Sequence, residues 1–139
     1  MLVNQIAVFL ENRKGRLLEL TETLGKAEID LVTLSIADTG EYGILRAVTR
    51  DNEHAARVLK EAGFTVQVNS LIGVEVADAA GGLAHMLKTL SGEGIDIEYL
   101  YSFAHTKQGT AIILFRVGEQ EKALDVLKKS GVKILQEIV

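Results

Sequence analysis

An α+β fold made of two successive βαββαβ units, each an antiparallel sheet with its helices on one face, is predicted from three observations. The sequence repeats itself at a spacing of 66 residues, each copy alternates between strand and helix periodicity, and the composition is that of a folded chain. Of 139 residues, 47% are hydrophobic and 24% charged. These values are near the globular average and far from the polar, highly charged composition that leaves chains disordered.

The repeat is anchored on Gly15 and Gly81. In that register Leu17 falls on Leu83, Thr23 on Thr89, Leu24 on Leu90, Ile29 on Ile95, Asp30 on Asp96, Leu34 on Leu100, Gly43 on Gly109 and Arg50 on Arg116. Nine of the 39 positions from Asn12 to Arg50 are identical, against about one in fifteen for unrelated sequences. A two-residue insertion then moves the spacing to 68, where Ala55, Val58, Leu59, Lys60 and Gly63 fall on Ala123, Val126, Leu127, Lys128 and Gly131. The halves are copies of one unit, with domains expected over residues 1–69 and 70–139.

In the first copy, residues 5–11 (QIAVFLE) alternate like a strand, and Leu17, Leu20, Leu24 and Ala27 recur at helical spacing. Residues 29–38 are rich in β-branched side chains and pass through the turn residues TGEYG into 44–50, which predicts a hairpin. A second helix starts near Asp51 or Asn52, either of which can cap the free amides of a first turn, and stops at Gly63. Residues 64–68 form the closing strand, and the second copy repeats the order as IGVEVA, GLAHMLKTLSG, IDIEYLYSFA, GTAIILFRV, EKALDVLKKSG and VKILQEI. This order is the ferredoxin-like, split βαβ plan. Two helices cover one sheet face only, so a copy of roughly 70 residues is marginal alone. The copies are therefore expected to touch by edge-strand pairing into one larger sheet, across a short linker at Asn69 and Ser70.

Several function classes are excluded or weakened. A net charge of −4 argues against nucleic acid, whose binding rests on clustered lysine and arginine. The absence of cysteine removes disulfides, thiolate nucleophiles and zinc ribbons. His54, His85 and His105 do not recur at metal-ligand spacing, so neither a metal nor a cofactor is expected. Tyr99, Tyr101 and Phe103 share one strand face, which is read first as sheet packing; the first copy has Thr33, Ser35 and Ala37 there, unlike an RNA-stacking platform. No nucleophile stands beside a base at recognisable spacing, so an enzyme is not expected. No apolar run approaches the roughly 20 residues that cross a bilayer, and no signal-like start precedes the first strand, which implies a cytoplasmic protein.

The glycine of each copy lies where the first strand hands over to the first helix. A helix start carries unpaired amides and partial positive charge, and glycine lets the backbone approach a ligand or take a positive φ. An isolated glycine turn is weak evidence, but one duplicated in register is stronger. The cluster Arg13, Lys14 and Arg16 reads as a solvated basic patch before it reads as a phosphate cradle, and Asp30 and Asp96 can equally be polar residues that open a strand.

The pattern N-R-K-G-R-L (12–17) and D-A-A-G-G-L (78–83), each in a βαββαβ unit with I-D-L or I-D-I opening the second strand, resembles the ACT domain, twice, over essentially the whole chain. The resemblance implies a regulatory module that senses amino acids or related small molecules, with the effector between two paired ACT units. The glycine-turn backbone of one unit holds it, and a polar side chain opening the neighbour's second strand completes the site. Carried onto this sequence, the implied ligand-binding residues are Asn12, Arg13, Lys14, Gly15, Arg16, Leu17 and Asp30 in the first copy. In the second they are Asp78, Ala79, Ala80, Gly81, Gly82, Leu83 and Asp96. The turn amides would take an α-carboxylate, and the aspartates an ammonium group. The family commonly has proline before the turn glycine, where Lys14 and Ala80 stand here. The smaller second turn is favoured for the closer backbone contact. A homodimer and a regulated partner enzyme or protein are implied, against the alternative of a structural module that only assembles with a partner.

Overall fold

The structure, a computed structural model, describes residues 2–104 and 108–137, the side chains of Phe103 and Ala104 excepted. The chain divides into two compact units, one spanning Asn4–Asn69 and the other running from Ser70 and taking in Leu2 and Val3.

The N-terminal unit uses β1 (Val3–Glu11), α1 (Arg16–Lys26), β2 (Leu31–Asp38), β3 (Tyr42–Thr49), α2 (Asn52–Glu61) and the first part of β4 (Thr65–Ala77). Its strand order is β2-β3-β1-β4, and antiparallel registers place Ala47 between Ile6 and Leu34. Strand periodicity in β1 sends Ile6, Val8 and Leu10 to one face, where they meet Leu20 and Leu24 of α1 and Ala55 and Leu59 of α2.

The C-terminal unit uses the rest of β4, then α3 (Gly82–Ser91), β5 (Ile97–Ala104), β6 (Thr110–Val117), α4 (Gln120–Lys129) and β7 (Lys133–Leu135). Here β4 lies between β6 and β7, with β5 beyond β6. Ile72, Val74, Phe115 and Val117 form the core with Met86, Leu90, Ala123 and Leu127. Both units are α+β with an antiparallel sheet and two helices each, the predicted βαββαβ plan.

The differences from expectation are local. Asn69 and Ser70, expected as a linker, carry strand backbone inside β4. The second strand of each unit starts at Leu31 or Ile97, two residues late. The amides of Ile29 and Ile95 close the preceding helices by donating to the carbonyls of Leu24 and Leu90 at 3.0 and 3.1 Å. Tyr101, 8% exposed, stands directly across from Leu114 as a packed sheet residue. Phe103 pairs with Ile112 by register, its side chain lies outside the described residues, and so does His105.

The cap of α2 is Asp51, whose carboxylate accepts the His54 amide at 3.0 Å. Asn52 has a second task. Its Oδ1 accepts the Thr49 amide at 2.9 Å and its Nδ2 donates to the Asn4 carbonyl at 2.8 Å, tying helix, hairpin and first strand together. In the repeat, Gln120 Nε2 donates to the Ser70 carbonyl at 2.8 Å from the same position. Replacing Asn52 by alanine leaves a buried Thr49 without this partner, so a loss of about 1–3 kcal/mol is expected in urea unfolding. Asn52→Asp, which keeps the acceptor and loses the donor, is expected to lose less.

Candidate functional site

Each strand-to-helix junction closes as a β-turn with glycine at its third position. The Arg16 amide donates to the Arg13 carbonyl at 3.3 Å across Gly15 (φ 82°, ψ −4°), and the Gly82 amide to the Ala79 carbonyl at 3.0 Å across Gly81 (φ 86°, ψ −7°). Those angles are the type II geometry, which demands positive φ there and favours proline one residue earlier. Lys14 and Ala80 take that earlier position, so the turn forms without the proline.

The turns leave donors free. Among the described residues, the amides of Lys14, Gly15, Leu17 and Leu18 reach no acceptor, nor do those of Ala79, Ala80, Gly81, Leu83 and Ala84. These are the orphan groups of a helix start together with the turn that feeds it. Neither helix has a side-chain cap. Asn12, expected to reach its turn, instead crosses to the β2–β3 hairpin: its amide donates to the Glu41 carbonyl at 3.1 Å and its side chain to that of Gly40. Asp78 donates its amide to the Gly109 carbonyl at 2.9 Å, and its carboxylate has no partner among the described residues.

The basic cluster is largely neutralised. Arg16 pairs with Glu19 at 2.7 Å and with Glu11 at 3.5 Å, and Arg13 reaches Glu19 at 3.3 Å and Glu11 at 3.5 Å. Arg16 also lies over the Phe64 ring, 3.8 Å from its centroid. Lys14 alone of the three has no ion-pair partner among the described residues. Glu11 and Glu19 were not singled out in the sequence, although Glu19 sits one helical turn from Arg16, the spacing at which charges meet.

The two arginines, first by the hydrogen bond from Arg16 and then by that from Arg13, hold the Glu19 carboxyl below the usual carboxylate range. A depressed folded-state pKa means stabilisation that is present above the unfolded value, near 4.5, and lost as pH falls through the lower folded value. The stability difference between wild type and Glu19→Gln is therefore expected to shrink in acid unfolding below pH 4.5 and to fall in high salt, because the pair is exposed.

Asn12, Arg13, Arg16 and Leu17 come together with Ile36 and Asp38 around a cavity of about 200 Å³. Asp30 is not there. It precedes β2 while Asp38 ends it, eight residues or roughly 25 Å away along an extended strand. Asp96 stands in the same relation to the second turn, before β5. Turn and aspartate of one unit therefore cannot share a small ligand. The aspartates also differ. Asp30 accepts from Arg50 Nε at 3.1 Å. Arg116, the counterpart of Arg50, instead pairs with Glu98 at 3.4 Å and donates to the Ser70 carbonyl at 3.2 Å. Asp96 is left without a partner among the described residues.

Gly82, assigned to ligand contact in the expectation, meets the protein's own backbone. A Cβ at this position would lie 2.1 Å from the Ala77 carbonyl oxygen. Among the described residues no cluster of three metal-ligating side chains exists, and no helix is long and apolar enough to cross a membrane.

The family described as an ACT domain pair matches the sequence over residues 1–138. The chain resembles the crystal structure of a protein from Bacteroides thetaiotaomicron at 39% identity and a TM-score of 0.91, covering 97% of this chain and 92% of that one. It also resembles the ligand-free regulatory subunit of aspartate kinase from Thermus thermophilus, at 14% identity and a TM-score of 0.63 over 91% of each chain. The corresponding subunit from Thermus flavus gives 15% identity and 0.62, over 91% of this chain and 90% of that one. At such identities the likeness to the two Thermus subunits carries the architecture alone. No curated protein matches the sequence.

Proposed function

Because the chain belongs to the ACT domain pair family, we propose that it is a cytoplasmic regulatory protein, not an enzyme, which binds an amino acid or a related small carboxylate. The ligand carboxylate sits on the free amides of a glycine turn of one ACT unit, and its ammonium group meets the aspartate preceding the second strand of a neighbouring unit. The observation that carries this reading is the pair of type II turns with unconsumed amides, the first of which shares its cavity with Asp38, roughly 25 Å along β2 from Asp30. That separation is what a site shared by two units requires. The unpartnered Asp96 and Asp78 favour sites built on the second copy's residues, and the Glu11 and Glu19 pairs argue against a second anion at the first turn.

The output of such a protein is limited to the ligand's difference in affinity for two arrangements, and it passes to a partner enzyme or protein or through self-association. Self-association is supported by Leu17 and Leu18 on α1 and Leu34 and Ile36 on the edge strand β2, which remain 41–60% exposed. The same residues favour the second reading, a module that assembles with a partner and holds no small ligand. Thermal unfolding against the common amino acids separates the two. A ligand at a hundredfold excess over its Kd adds about 2.7 kcal/mol, so one amino acid or a few will raise the melting temperature. If none does, the assembly reading holds and the sensor reading fails.

A further inference from the structure

The two units differ at one place by the removal of a plug. In the N-terminal unit the planar guanidinium of Arg16 lies over the Phe64 ring, its side chain only 11% exposed, with Glu19 at 2.7 Å. The repeat puts Gly82, Val132 and His85 at these positions. Gly82 follows Gly81 as Arg16 follows Gly15, and the Val132 amide donates to Leu127 at 3.1 Å as the Phe64 amide does to Leu59 at 3.0 Å. The fold is retained and the two planar groups are gone. A cavity of about 360 Å³ is found there, lined by Gly82, His85, Met86, Gly131 and Val132 above Val76 and Ala77.

We propose that this cavity is a binding site for a compact planar ring bearing a hydrogen-bond acceptor, of the class of a monocyclic aromatic carboxylate. Shape points to the ring: the same place in the other unit is filled by a stacked phenyl and guanidinium, and a dry cavity of about 150 Å³ already takes benzene. Charge points to the acceptor. The acids that neutralise Arg16, Glu11 and Glu19, are replaced by Ala77 and His85, so a cation has lost both its partners. The His85 imidazole has no partner among the described residues and can donate. Lys133 and Glu75 also line the cavity, paired with each other at 2.9 Å, so the acid at its edge already holds a cation. The protein cannot fill the space from position 82, since any side chain there meets the Ala77 carbonyl. Neither Gly81 nor Asp96 lines the cavity, which borders the second turn only through Gly82, so its occupancy can be tested apart from that of the turn site proposed above.

The test is a titration of the full chain with benzoate, benzyl alcohol and benzylamine, read by NMR at the Met86 methyl and the Gly82 and Gly131 amides. Benzoate and benzyl alcohol are expected to shift these signals saturably, with benzylamine at least tenfold weaker. Val132→Phe, which returns the phenyl of Phe64, is expected to abolish binding of both, and His85→Ala to weaken benzoate several-fold. An absence of saturable shifts would overturn the proposal. So would binding that neither variant alters, or benzylamine binding as well as benzoate.

Discussion

Gly82→Ala is expected to destabilise the protein by more than about 3 kcal/mol, the largest effect of any single-methyl addition at the two turns. The added Cβ falls 2.1 Å from a backbone oxygen, that of Ala77, which cannot swing aside as a flexible side chain does. Gly82 does not have positive φ, unlike Gly81. Its requirement is therefore space, and Arg16 at the same place in the first copy shows that the fold itself does not demand glycine. Urea unfolding checks this through a lowered midpoint. A variant as stable as wild type would show that the junction relaxes freely, and the separate role given to Gly82 would be lost.

Asp96→Ala is expected to act on binding alone. Its carboxylate is exposed and unpartnered among the described residues, so stability should stay within about 0.5 kcal/mol of wild type. Loss of the group facing a ligand ammonium inside a shared site costs about 2–5 kcal/mol, a weakening of roughly 30-fold or more for the amino acid that gives the largest thermal shift. Asp30→Ala is expected to weaken binding less, because Arg50 already holds that carboxylate. Calorimetric titration of both variants with that amino acid measures the contrast, and equal losses would contradict the asymmetry drawn between the copies.

The fold was legible because one pattern occurs twice. Ile6, Val8 and Leu10 alternate on a strand, Leu20, Leu24, Ala55 and Leu59 follow helical spacing, and the second copy repeats the register in a different sequence. The strand through Asn69 and Ser70 was missed because short polar residues between two apolar runs read as a break, and the in–out alternation lapses there although the backbone stays extended. The site was legible only where backbone geometry decides it. Glycine at 15 and 81 announces positive φ, and helix starts announce free amides. The engagement of Arg13 and Arg16 by Glu11 and Glu19 depends on side chains from strand and helix meeting in space, and no linear spacing fixes all four. The pair Gly81-Gly82 read as one motif, but the first glycine serves the turn's φ and the second a carbonyl close by. The Arg16–Phe64 stack joins a helix start to a residue in the other half of the same unit, a contact that the register pairing Phe64 with Val132 does not announce.

The central claim is that main-chain donors at the duplicated turns receive the carboxylate of a bound amino acid. Amide NMR of the full chain, titrated with the amino acid that most raises the melting temperature, tests it residue by residue. The account predicts that the Ala80, Gly81 and Leu83 amides, or Lys14, Gly15 and Leu17, move most at saturation, and that Asp96→Ala suppresses the movement at whichever turn faces it from a neighbouring unit. Saturable binding that leaves all six amides unmoved would contradict it.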